Sequence, residues 1–125
     1  MRGYGAYKNT QGAVATQNGR DLEYRLLAQV TGGLMKAREG RASIQEKYNW
    51  ILQNEKVWSV FLADVNDPDN ALPRALKGGI ASLALWVMKE TKLVMSDDDA
   101  PLDDLIEINR QIMAGLKPEP QSMVG

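Results

Sequence analysis

The chain has 125 residues, 44% hydrophobic and 25% charged, which is the balance of an ordinary globular domain. Its formal net charge of −1 gives no overall electrostatic reason to bind nucleic acid or an anionic membrane. The sequence contains neither Cys nor His, which removes disulfides, thiolate zinc sites and the commonest general base. We therefore expect no catalytic residues, no bound metal and no cofactor, and we do not expect an enzyme.

Residues 1–19 mix small, polar and aromatic side chains, and their glycines each disfavour a helix by roughly 1 kcal/mol relative to alanine. We predict a loosely held, partly helical segment. Tyr4 and Tyr7 fit two roles, packing back on the domain or binding a partner, since tyrosine buries a large area at small entropic cost. No secretory-signal pattern and no apolar run near the ~20 residues of a membrane span is found, so we expect a cytoplasmic location.

Residues 20–116 show four stretches of helical periodicity and no strand-like alternation. This pattern predicts an all-α fold, a compact bundle of four to five helices. The first helix is predicted from about Asp21 to Gly40. The apolar side chains that recur along it at four-residue spacing are Leu22, Leu26, Val30 and Leu34.

The second helix is predicted from about Ser43 to Val65. The turn Asn66–Asn70 ends it, because Pro68 disfavours a helical conformation at the preceding residue. The inner face expected from its periodicity consists of Ile44, Tyr48, Ile51, Leu52, Trp58, Leu62 and Val65.

Four further side chains of this helix fall together beside that inner face at 100° per residue. They are Trp50, Asn54, Val57 and Phe61. The apolar arc of the helix is therefore unusually wide, and two explanations stay open. Either the helix packs between two neighbouring helices, or this flank forms the wall of a groove for an amphipathic partner helix.

The third helix is predicted from Leu72 and Pro73, since proline fits a first turn, to about Val94. Between Ile80 and Met88 only one residue is polar, and a helix that is apolar all round is usually the central, buried one. Its expected core face consists of Leu76, Ile80, Leu83, Val87 and Val94, and the tryptophans expected beside the core are Trp58 and Trp86.

The fourth helix is predicted from Leu102 to Leu116, followed by a disordered tail over residues 117–125. Its expected inner face consists of Leu102, Leu105, Ile106, Asn109, Ile112, Met113 and Leu116. The acidic run Asp97–Asp99 precedes it. We interpret this run as helix capping rather than a metal site, because the spacing of a calcium-binding loop is missing.

Three collinear blocks of this sequence resemble the FlaF family of flagellar biosynthesis regulators. The first joins Ala6–Tyr7 to residues 23–26 and 29–31. The second is the most specific and includes DPDNALP at 67–73 and IASLALWV at 80–87. The third is LIEINRQIMAGL at 105–116.

The resemblance implies a cytoplasmic helical protein that acts in flagellin synthesis and export. The partner it implies is flagellin, through a terminal helical region, with FlbT, a post-transcriptional regulator, as a second partner. An alternative is regulation of flagellin translation, acting with FlbT or directly on RNA. Direct RNA binding ranks lower, because Arg38, Arg41 and Lys47 form only a thin basic patch.

Overall fold

Four α-helices make up most of residues 15–116, the part of the chain whose backbone the computed structural model describes, with side chains described from 21 to 115. They are α1 Ala15–Arg38, α2 Ile44–Val65, α3 Arg74–Met95 and α4 Asp103–Leu116. No strand occurs within this range. The predicted all-α bundle is confirmed, with four helices. Residues 1–14 and the predicted tail 117–125 lie outside the described range.

The start of α1 differs from the prediction, and its end agrees. The helix begins at Ala15 rather than near Asp21, because a single interior glycine costs only about 1 kcal/mol and does not by itself stop a helix. At the other end Gly40 has a φ of 76°. The Gly40 amide donates to the Ala37 carbonyl at 3.1 Å, and the next amide donates to Lys36 at 3.0 Å. This is the Schellman arrangement, which glycine adopts without steric cost.

A capping box begins α2. The Ser43 hydroxyl accepts from the Glu46 amide at 3.1 Å, and the Ser43 amide donates to the Glu46 carboxylate at 2.8 Å. Two amides that have no partner within the helix are satisfied in this way. The boundary between Ser43 and Ile44 is therefore set by local side-chain chemistry.

Side-chain to backbone hydrogen bonds also stabilise the turns on either side of α3. The Asp67 carboxylate accepts from the Asp69 amide, and the Asp97 carboxylate accepts from the Asp99 amide, each at 2.9 Å. These side chains hold the backbone in turns, as expected for Asp that precedes a helix. The acidic run before α4 was predicted to cap the helix, and the structure shows that its Asp97 holds a turn ahead of the first helical residue, Asp103.

The helices pack in the order α4, α1, α2, α3. Among the described helices, α1 packs against both α2 and α4, and α3 packs substantially only against α2. One cluster of buried side chains joins all four helices, with Leu27, Leu34, Ile51, Trp58, Val87, Leu105 and Ile106 among its members. Hydrogen bonds of Asn109 in α4 reach both α1 and α2, so these three helices form a centre and α3 is the outer helix.

The buried face of α2 lies roughly 80° around the helix axis from the predicted one, at 100° per residue. Ile44 and Leu52, which were assigned to the inner face, are about half exposed. Asn54, Val57 and Phe61, from the flanking set, are buried. The prediction of the inner face was wrong at these positions, because the wide apolar arc does not specify where its centre lies.

The prediction that α3 is the central helix was also wrong. Its buried line is narrow and consists of Ala84, Val87, Thr91 and Val94. Leu76, of the expected core face, is half exposed, and Trp86 is 37% exposed. A helix with one substantial neighbour can bury only one side, so the remaining apolar side chains of α3 stay at the surface.

Candidate partner-binding surface

The residues predicted to bind a partner fall into three groups in the structure. Tyr4 and Tyr7 lie outside the described residues. Trp50 is partly buried on α2, with its indole directly against Gly33 of α1. A β-carbon at position 33 would overlap the indole ring, so the close approach of α1 to α2 at this point requires glycine.

Asn54, Val57 and Phe61 are packed inside the bundle. The Phe61 ring meets the Trp58 indole edge to face, with ring centroids 5.4 Å apart and planes at 72°, a favourable aromatic geometry. This placement favours the first of the two explanations for the wide arc, a helix between two neighbours. The three side chains are core groups in this conformation rather than the wall of an open groove.

A buried polar cluster, formed by Thr31, Asn54, Trp58 and Asn109, links α1, α2 and α4. The Asn109 carbonyl oxygen accepts from the Trp58 indole N–H at 2.8 Å. Its amide group donates to the Thr31 hydroxyl at 3.0 Å and to the Asn54 carbonyl oxygen at 2.7 Å. Asn109 therefore bonds to three side chains from two other helices.

The orientation of the two amides follows from these partners. Only the Asn109 oxygen can accept the Trp58 proton, so its nitrogen must face Thr31 and Asn54. The Asn54 nitrogen is a buried side-chain atom without a hydrogen bond among the described residues. The sequence signal for this cluster was Asn109 at an inner position of α4, but nothing in the sequence pointed to Thr31.

Helix α3 carries an exposed apolar row that includes Trp86, which was predicted to lie beside the core, and Leu85, which belongs to the apolar stretch that was expected to be buried. We name Leu85, Trp86 and Leu93 the outer row; they are 59%, 37% and 56% exposed. Together with Lys89, they fall within an arc of roughly 100° on the side away from α2. Grouped exposed apolar side chains are typical of interaction surfaces.

The charged side chains of α3 are mostly basic. Helix α3 carries four basic side chains against one acidic side chain, Glu90. Lys89 lies one helical turn from each member of the outer row, and Lys92 follows at the next turn. Neither lysine makes a hydrogen bond or ion pair with the described residues. The surface is thus apolar with unpaired positive charge.

A second, smaller apolar feature surrounds Leu52 on α2. Two shallow grooves meet there. Among the described residues, one is lined by Leu52, Glu55, Lys56, Ser59 and Val60, and the other by Leu52, Glu55, Thr91, Lys92, Met95 and Ser96. Of the α2 side chains that line these grooves, Leu52 is the most exposed apolar one, at 48%.

Among the described residues, no group of three or more His, Cys, Asp or Glu side chains could hold a metal ion. Two hydrogen bonds lower the pKa of Glu46. The larger effect comes from the bond with the Ser43 backbone, and the smaller from the bond with the Ser43 side chain. The lower pKa of this carboxyl group therefore follows from its role in capping α2.

None of the described helices has the length and hydropathy that a membrane span requires. The family model described as Flagellar protein FlaF matches residues 4–116. This range contains all four helices, the buried polar cluster and the outer row. No curated protein and no solved structure shows significant similarity to the chain. The extent of the family match leads to one conclusion: the chain belongs to the FlaF family of flagellar proteins.

Proposed function

We propose that this protein binds flagellin in the cytoplasm and supports its synthesis and export in the manner of a chaperone, without catalysing a reaction. The observation that carries the proposal is the outer row of α3, an apolar surface on a helix that has one substantial neighbour. Membership of a flagellar family makes a flagellar protein the natural partner.

Flagellin needs protection before it assembles. Its terminal segments are expected to be amphipathic helices that pack together in the filament, so before assembly their apolar stripes invite aggregation. A helix can cover such a stripe by pairing with it, as amphipathic helices do in helical grooves. The complex must separate at export, so a micromolar dissociation constant, about −8 kcal/mol of binding free energy, is expected.

Light scattering of unassembled flagellin tests the chaperone role. Flagellin from the same source is expected to stay monomeric longer when the protein is present at equal concentration, because its apolar stripe is covered. A flagellin that lacks its C-terminal helix should gain no such protection. Equal aggregation with and without the folded protein would contradict a chaperone role.

A second candidate function is regulation of flagellin translation, acting with FlbT or directly on RNA. The observation that favours an RNA contact is the excess of cations on α3, namely Arg74, Lys77, Lys89 and Lys92. An electrostatic complex of this kind weakens steeply with salt. Gel-shift titrations of flagellin messenger RNA at two salt concentrations, with and without FlbT, separate direct binding, binding through FlbT, and no binding.

A further inference from the structure

We infer that the outer row of α3 is the docking surface for one amphipathic helix that places a carboxylate against Lys89. The inference rests on the proposed function, because the helix is taken to be a terminal helix of flagellin. It specifies where on this protein the partner binds and which charge the partner must carry.

The geometry of α3 supports a helical occupant. The N-terminal half of its outer side carries only small residues, Ala75, Gly78, Gly79 and Ser82, and the C-terminal half carries the outer row. A β-carbon at Gly78 or Gly79 would meet no other atom within 4 Å. The packing of this protein therefore does not require these glycines, although they cost helix propensity. Small residues followed by large ones let a second helix approach closely at one end and contact side chains at the other.

The charge pattern defines the partner. Lys89 has no acidic residue three or four positions away on its own helix, and the same holds for Lys92. An apolar helix laid over the outer row would cover Lys89, and a covered ammonium group requires a carboxylate partner. The occupant therefore combines an apolar stripe with an acidic residue near its middle.

The same charges disfavour a second copy of this chain as the occupant. Pairing of two α3 helices through the outer row would bring together two surfaces that each carry Lys89 and Lys92. At a helix spacing of about 10 Å, such like charges repel across the contact, since the distance is comparable to the screening length at physiological salt. A flagellin helix with acidic residues avoids this cost.

Calorimetric titration of full-length flagellin into the unmodified full chain and five variants of it tests the inference. The double variant Trp86→Ser/Leu93→Ser removes two members of the outer row, and Lys89→Glu reverses the central charge. The matched controls on α2 are Leu52→Ser, which removes a leucine of similar exposure at 48%, and Lys56→Glu, which makes the same charge change at an exposed site. Circular dichroism and urea unfolding verify that every variant is folded.

We expect the double variant to weaken flagellin binding by about tenfold or more, as for a tryptophan at the centre of an interface. Lys89→Glu should also weaken binding, and both α2 controls should bind like the unmodified chain. Gly79→Gln should keep or raise the unfolding midpoint, because it adds helix propensity in open space, yet weaken binding by blocking the close approach.

The outcomes separate the two proposals. If the unmodified folded chain does not bind flagellin, the proposed function and this inference are both overturned. If flagellin binds the α3 variants and the unmodified chain equally, only the docking surface is wrong. If ultracentrifugation shows a dimer that Trp86→Ser/Leu93→Ser converts to a monomer, a second copy covers the outer row and the inference is overturned.

Discussion

At the residue scale, Asn109 is the side chain on which the central packing depends. It bonds to Thr31, Asn54 and Trp58 in an environment with no exposed surface. Buried hydrogen bonds are modest in net energy, but a buried group that loses its partner has a full desolvation cost. The cluster therefore requires α1, α2 and α4 to meet in one register.

Replacing Asn109 with alanine should lower the free energy of unfolding by about 2–4 kcal/mol, because the Trp58 N–H and two other polar groups lose their partner. Gln111→Ala is the control on the same helix. Its side chain bonds only to the exposed Glu107 carboxylate at 3.2 Å, so a change within about 0.5 kcal/mol is expected. Urea unfolding of both variants measures the difference. Equal decreases in the free energy of unfolding would show that the buried cluster contributes no more to stability than an exposed side-chain hydrogen bond.

Gly32 and Gly33 form a natural matched pair within α1. A β-carbon at Gly33 overlaps the Trp50 indole, whereas one at Gly32 meets nothing within 4 Å. Gly33→Ala should destabilise the protein by about 1–3 kcal/mol through overpacking. Gly32→Ala should stabilise it by up to about 1 kcal/mol through helix propensity. Thermal unfolding of both variants checks the sign, and stabilisation by Gly33→Ala would mean that Trp50 does not press on α1.

At the element scale, the helix ends were predictable except for the start of α1, whereas the buried faces of α2 and α3 were not. Gly40, Ser43 and Pro68 determine helix ends through local backbone chemistry that acts within a few residues. The faces of α2 and α3 depend on which helices lie beside them. An apolar arc that is wider than one contact does not show which part is buried, so Leu52 and Trp86 were misassigned. The inward position of Asn109 was predicted, but its partners come from distant segments.

The capping box of α2 predicts a particular pH dependence. Folding lowers the pKa of Glu46 through its bonds to Ser43. A carboxyl group with a lower pKa in the folded state stabilises the fold above its unfolded pKa, and this contribution is lost as pH falls through the folded pKa. The stability advantage of the unmodified chain over Glu46→Gln should therefore shrink as the solution becomes more acidic. Urea unfolding across acidic pH measures it, and an advantage that grows on acidification would contradict the assignment.

At the scale of the whole molecule, α3 is separate from the centre of the bundle. Helices α1, α2 and α4 share the buried polar cluster, and the charges of Arg38 and Asp103 lie 3.6 Å apart where α1 ends and α4 begins. Helix α3 packs substantially only on α2 and leaves its outer row exposed. A stable centre with an apolar outer helix is a suitable architecture for a protein that pairs with one helix of a partner.

The sequence could predict the four-helix architecture, and its resemblance to a flagellar family is confirmed by the match over residues 4–116. The outer row could not be predicted as a surface, because Leu85 and Trp86 belong to an apolar run that is equally typical of a buried helix. Only the packing of α3 against a single neighbour distinguishes these two situations.

The central claim, that this protein binds flagellin, is tested most directly by calorimetric titration of the folded chain with flagellin from the same source. We predict saturable binding to full-length flagellin and its loss when the C-terminal helix of flagellin is removed. An absence of saturable binding to full-length flagellin, with a chain that shows a cooperative unfolding transition, would contradict the account.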